Sequence, residues 1–87
     1  MRAPGPSLRP VQRLRPLQVR TDPEGRPVAV RGRRGFVAIA GIRESWRIDD
    51  EWWRRPISRS YYAVVLESGR MIVLYRDRTE GRWFLQG

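Results

Sequence analysis

The chain has 87 residues, enough for one domain, and a chain this short buries only about 60% of the surface its unfolded form exposes. All 18 basic residues are arginine, nine residues are acidic and the net charge is +9, while Lys, His, Asn and Cys are absent. These absences exclude disulfides, thiol and imidazole chemistry, soft-metal sites and Schiff bases, and no apolar run approaches the roughly 20 residues of a membrane helix.

Residues 1–15 carry Arg2, Arg9, Arg13 and Arg15 and no acid. Pro4, Pro6 and Pro10 oppose helix and favour extended chain. A flexible basic arm is expected here, ahead of a folded domain over 16–87. The opening MRAPGPSLRP has no apolar h-region, so a cytoplasmic protein is expected, without membrane contact.

From Pro16 the pattern turns β. Residues 16–20 place Leu17 and Val19 on one face, and residues 26–31 place Val28 and Val30 on one face. Between them, Thr21-Asp22-Pro23-Glu24-Gly25 reads as a tight turn, so the two runs predict a hairpin with Arg20, Arg26 and Arg31 along or near its ends. Gly32-Arg33-Arg34-Gly35 reads as a second turn with two exposed arginines. Residues 36–42 (FVAIAGI) are apolar on both faces, which predicts a strand buried on both sides or curving through a barrel, with Gly41 permitting a bend. Residues 43–48 continue the sheet. Residues 49–56 (DDEWWRRP) read as a loop or one helical turn, with Asp49 or Asp50 as N-cap and Pro56 as the stop.

Residues 60–67 and 70–76 read as a hairpin about the two-residue turn Ser68-Gly69. Asp77 to Gly81 is another turn, and 82–86 a closing strand. Five or six short strands without a convincing helix predict an all-β fold: an SH3-like barrel or a strongly bent antiparallel sheet, with an OB-fold as the second choice.

GC-rich codon usage accounts for Arg in place of Lys, and heat adaptation disfavours Asn and Cys, but neither produces nine surplus positive charges. A polyanion partner does, because guanidinium forks grip phosphate. Asp49-Asp50-Glu51 is the only acidic cluster, and consecutive strand residues point to opposite faces, so these carboxylates do not converge as a hydrolase or hard-metal site requires. A non-catalytic domain without cofactor or metal is the expectation.

The segment 46–59 holds three of the four tryptophans, three of the nine acids and four arginines. Adjacent Trp52 and Trp53 cannot both face the core of an extended chain, so one is expected to plug the barrel and the other to be exposed. For a nucleic-acid ligand, DNA or RNA, the candidate phosphate contacts are Arg13, Arg15, Arg31, Arg33, Arg34, Arg54, Arg55 and Arg59. The candidate stacking groups are Trp52, Trp53, Tyr61 and Tyr62. The three acids argue against a plain basic patch. They leave open a protein-interaction surface of Asp49, Asp50, Glu51, Trp52, Trp53 and Arg54. Self-association is a third reading, should 36–42 prove an open sheet edge.

The run from Trp46 to Arg54, then Pro56-Ile57-Ser58-Arg59 and Tyr61-Tyr62, resembles an uncharacterised bacterial domain family, with further matches at Leu66, Gly69, Tyr75-Arg76-Asp77 and Gly81-Arg82-Trp83. Members of that family occur as short free-standing proteins and at the C-terminus of Y-family DNA polymerase-like proteins, the catalytically degenerate partners in mutagenesis cassettes. The resemblance covers about residues 16–86 and carries no site residues. It implies a context, DNA damage tolerance, with a polymerase-type repair protein or its template as partner.

Overall fold

The structure, a computed structural model, describes residues 15–52 and 55–86, without the side chains of residues 51, 52 and 55. Seven strands follow one another: β1 (Arg15–Leu17), β2 (Val19–Thr21), β3 (Pro27–Gly32), β4 (Gly35–Trp52), β5 (Arg55–Leu66), β6 (Met71–Asp77) and β7 (Arg82–Gln86). All neighbours pair antiparallel, in the order β1-β7-β6-β5-β4-β3-β2. The two ends of that order, β1 and β2, are consecutive stretches of one segment with only Gln18 between them. This segment pairs with β7 through its first half and with β3 through its second, so the sheet curls until its two ends meet in one chain. The all-β, barrel-like expectation holds. The count is seven strands rather than five or six, because the run at 16–20 divides at Gln18 where it changes partner. Among the described residues no helix is long and apolar enough to cross a membrane.

Turn chemistry fixes the hairpins. Asp22 N–H donates to the Arg26 carbonyl at 2.8 Å and Gly25 N–H to the Asp22 carbonyl at 2.9 Å, enclosing a three-residue loop. The β5–β6 hairpin repeats this with Leu66, Gly69 and Arg70, both bonds being 2.8 Å. Its loop is therefore Glu67-Ser68-Gly69, one residue longer than the two-residue turn expected. In each, glycine takes the left-handed position that closes a three-residue loop, with φ of 88° at Gly25 and 93° at Gly69.

The strand β4 departs most from expectation. It runs through the segment expected as a loop or helical turn and pairs with β5 as far as Trp52↔Arg55. β6 leaves this ladder at Arg59↔Asp77, so the pairs from Asp49↔Ser58 to Trp52↔Arg55 project as a two-stranded ribbon. Pro56 is tolerated because β5 is an edge strand there and owes no second partner an N–H. Asp49 and Asp50 cap no helix; they are ladder residues.

β4 also breaks period two. Register slips between Ile39 and Gly41, and again between Ile42 and Glu44. Each inserted residue reverses the alternation, and the second restores it. Val37, Ile39, Ile42 and Ser45 therefore fall on one face, while Phe36, Ala38, Glu44 and Trp46 fall on the other. The expected burial of 36–42 on both sides is corrected: Phe36, Val37 and Ile39 are half-buried, and Ala38, Ala40 and Ile42 are exposed. Nor is this stretch an open edge, since β3 and β5 flank it. A similar slip between Arg20 and Thr21 leaves Val28 opposite no partner, so Val28 is exposed while Val30 is buried.

Two apolar layers result. The concave face collects Val30, Val64, Leu66 and Leu74, with Leu17, Val19, Val37, Ile39, Tyr62, Ile72 and Trp83 packed around them. The opposite face carries Tyr61, Tyr75 and Phe84. These three continue a straight cross-strand row, Trp46↔Tyr61↔Tyr75↔Phe84↔Pro16, over β4, β5, β6, β7 and β1.

Candidate nucleic-acid interface

Val19, Val30 and Val37 point into the core, so alternation sends Arg20, Ala29, Arg31, Phe36 and Ala38 to the outer face of β2, β3 and β4. The register then brings two arginines to one ring. The Arg20 guanidinium carbon lies 4.0 Å from the Phe36 centroid, and that of Arg31 lies 5.8 Å away. Both contacts fall within cation–π range, worth about 0.5–1 kcal/mol each at an exposed site. A guanidinium resting on a ring engages its face and keeps its edge of N–H donors for an anion. Arg31 Nη1 also donates to Gln18 Oε1 at 3.3 Å, which fixes its direction.

Arg33 and Arg34 occupy the two-residue turn between Gly32 and Gly35, and both are exposed. Among the described residues, none of Arg20, Arg31, Arg33 and Arg34 is ion-paired. Carboxylates engage other arginines: Arg26 with Asp22 at 3.2 Å, Arg47 with Asp49 at 2.7 Å and Arg82 with Glu80 at 3.9 Å. One end of β4 therefore concentrates cations that have hydrogen-bonding capacity to spare.

The other end carries the aromatic row. Trp46 stacks on Tyr61 with centroids 5.3 Å apart and planes 4° from parallel. Tyr61 meets Tyr75 at 4.9 Å, and Tyr75 meets Phe84 at 5.3 Å. The Arg59 guanidinium lies 4.8 Å from the Tyr75 centroid and donates to the Tyr61 hydroxyl at 3.2 Å. Burial works against the Arg59 cation, but that hydrogen bond and the nearby Tyr75 and Asp77 outweigh it, so its pKa lies above the ordinary value. Burial pushes the Tyr75 phenol up. Its hydroxyl oxygen and Arg76 Nε are buried without a hydrogen-bond partner. Trp46 closes the row and stays 39% exposed although one face is covered.

The sequence-derived candidates separate accordingly. Arg31, Arg33 and Arg34 gather on the turn end of β4. Arg15 is exposed on β1, which pairs with β7, while Arg20, Arg31, Arg33 and Arg34 lie on β2, β3 and the turn after β3. Arg59 is committed to Tyr61 and Tyr75. Tyr61 is buried under Trp46, and Tyr62 packs on the concave side with its ring 5.7 Å from that of Trp83, so neither offers the free outward ring expected of the pair. Asp49 accepts from Ser58 Oγ at 2.7 Å and pairs with Arg47. The Ser58 hydrogen bond, opposed by burial and joined by Arg47, holds its carboxyl below the usual range. Asp50 is exposed on the ribbon. Trp52 and Arg55 form the last described pair of the β4–β5 ladder. Arg13, Trp53 and Arg54, and the side chains of Glu51, Trp52 and Arg55, lie outside the described residues. Among the described residues no group of three or more Asp, Glu, His or Cys side chains converges.

Arg20 and Phe36 are the site residues that sequence reasoning missed. The signal available was the pairing register: once Val19, Val30 and Val37 are aligned, Arg20, Arg31 and Phe36 must share the opposite face. No family model, curated protein or solved structure matches the chain.

Proposed function

We propose that the chain is a non-catalytic nucleic-acid-binding accessory domain that works beside translesion synthesis or DNA repair. The observation that carries this reading is the outer face of β2–β4, where Arg20 and Arg31 both lie over Phe36, the exposed Arg33 and Arg34 follow at the turn, and no described carboxylate engages any of the four. A cluster of this kind suits a chain of linked phosphates better than a single anion, because its cations are spread over β2, β3 and the β3–β4 turn. Binding through it releases counterions and weakens steeply with salt. The repair context comes from the resemblance of residues 46–62 to a domain found on polymerase-like proteins.

Titration of the full chain against labelled single- and double-stranded DNA at two salt concentrations tests the reading. Micromolar or tighter binding at low salt that falls by an order of magnitude or more on a fourfold salt increase is expected. Affinity indifferent to salt, or no binding at low salt, overturns it. A second reading, docking of a polymerase-type repair protein through 46–59, is favoured by one observation: Trp46 and Ile48 stand exposed where β4 runs out toward the ribbon. Nuclease-resistant recovery of such a partner, lost in Trp46→Ala, would favour it.

A further inference from the structure

The outer face of β4 holds two aromatic stations, and their chemistry differs. At Phe36 the ring is taken by two guanidiniums, so the station presents N–H edges. At Trp46 one face is stacked on a row of three further rings and the remainder of the indole meets solvent, so this station presents a π-surface. The paired bulges restore the alternation between them, which is why both sit on the same face. About 26 Å of strand separates positions 36 and 46, at ~3.3 Å per residue less the two bulged residues. Between them Glu44 lies on this face, and Arg43, the residue inserted at the second bulge, is exposed beside it in the chain.

We infer that this face takes single-stranded nucleic acid, with phosphates at Arg20 and Arg31 and a base stacked on Trp46. The inference rests on the nucleic-acid reading above and names its ligand. A duplex can offer phosphates to the first station, but its base faces are covered by their neighbours and cannot reach the second. Among the described residues the element slim enough to enter a major groove is the ribbon, and there Asp49 occupies the Arg47 guanidinium that a phosphate would need. A single strand meets neither obstacle. Trp46 suits the role because its position is set in advance: the row beneath it runs through buried Tyr61 and Tyr75, so little ordering remains when a base arrives. Ile48, 42% exposed and two residues along the same face, adds an apolar lip. The span of about 26 Å corresponds to about eight nucleotides at a stacked rise of ~3.4 Å, and fewer when the strand is stretched. That lies within the ~4–16 nucleotides typical of small β-barrel single-strand sites.

Fluorescence anisotropy of the full chain with labelled dT4, dT16, rU16 and a 16-base-pair duplex tests this at low and moderate salt. The dT16 affinity is expected to exceed that of dT4 by more than the fourfold length ratio, because only the longer strand reaches both stations. Trp46→Ala is expected to lower dT16 affinity about tenfold and leave the duplex unchanged. Trp46→Phe should retain most of the binding. If Trp46→Ala fails to fold, Trp46→Leu refills the space over Tyr61 without a π-face and carries the same expectation. Arg20→Gln with Arg31→Gln should weaken every ligand and reduce the salt slope by about two. A preference between dT16 and rU16 assigns DNA or RNA, and either supports the inference. Duplex binding as tight as dT16 together with an inert Trp46→Ala overturns the inference and leaves the nucleic-acid reading standing. No binding by any probe at low salt removes both.

Discussion

At the Gly35 end of β4, Arg20 and Arg31 lie against Phe36 with no described carboxylate in reach. At the other end, Arg47 is held by Asp49 at 2.7 Å and Arg59 by a tyrosine hydroxyl at 3.2 Å. The same residue types serve opposite ends. Among the described residues, Arg31 and Arg59 each lie over a ring and donate to one neutral oxygen, whereas Arg47 is tied to a carboxylate and Arg20 meets only the ring. Net charge hides this distinction. A surplus of nine cations says that many arginines lack a carboxylate, and it does not say where they gather. The turn end leaves Arg20 and Arg31 over a ring without a carboxylate, and the end near Trp46 is packed ring against ring.

The strongest way to break that contrast is to remove the centre of the aromatic row. Tyr75 is 2% exposed and touches Tyr61, Phe84 and Arg59. Tyr75→Ala is expected to lower unfolding free energy by about 3–5 kcal/mol, as for other buried aromatic truncations. At the turn end, Arg33→Gln with Arg34→Gln is expected to stay within about 0.5 kcal/mol, since both side chains meet only solvent. Urea denaturation of the three proteins decides. Equal losses would mean that the turn arginines are structural and the contrast is false.

The strand pattern was legible where alternation was uninterrupted. The Val64–Leu66 and Ile72–Leu74 positions, the closing strand at 82–86 and the turns at Asp22–Gly25 and Asp77–Gly81 all follow from period two and turn residues. It failed where the ladder slips. Ile39, Ile42 and Ser45 share a face at spacings of three, which no alternation rule recovers from a single chain. The segment 49–56 looked like a loop because Asp, Asp and Pro disfavour strands, yet residues 49–52 pair with 55–58 of the long β5, and tertiary pairing overrode propensity. Of the candidate site, Arg31, Arg33 and Arg34 were readable from the turn at Gly32–Gly35. Arg20 and Phe36 needed the three-strand register, and the fate of Tyr61 and Tyr62 needed the knowledge that both faces of β5 are covered.

A smaller substitution sharpens what rigidity means at the aromatic end. The Tyr75 hydroxyl is buried and unpartnered, so it contributes desolvation cost without a hydrogen bond. Tyr75→Phe keeps the ring, its contacts to Tyr61 and Phe84 and the Arg59 cation over its face. It is expected to leave stability unchanged or raise it by up to about 1 kcal/mol in urea denaturation. A clear loss would show that the hydroxyl is satisfied in solution and that the row is held by polarity as well as by packing.

The smallest effect expected is local and depends on pH. Asp49 has its carboxyl held below the usual value of 3.8, chiefly by the Ser58 hydroxyl, with burial opposing and Arg47 assisting. A carboxyl whose folded pKa lies below its unfolded one stabilises fully above the unfolded value. That contribution is lost as pH falls through the lowered one. The β4–β5 ladder around Asp49↔Ser58 should therefore loosen under acid conditions before the turn end does, because Arg33 and Arg34 have no carboxylate to protonate. Asp22 and Asp77 are lowered as well, Asp22 by the Arg26 amide and Asp77 by Thr79 and Glu80 against burial, so global unfolding would mix three groups. Amide chemical shifts read each site alone. The Arg47 and Ser58 amides should titrate together below pH 3.8, those of Arg33 and Arg34 should not follow, and Asp49→Asn should flatten the first pair. Parallel titration at both ends, or persistence in Asp49→Asn, would show that the acid response belongs to the whole sheet and that the two ends of β4 are electrostatically alike.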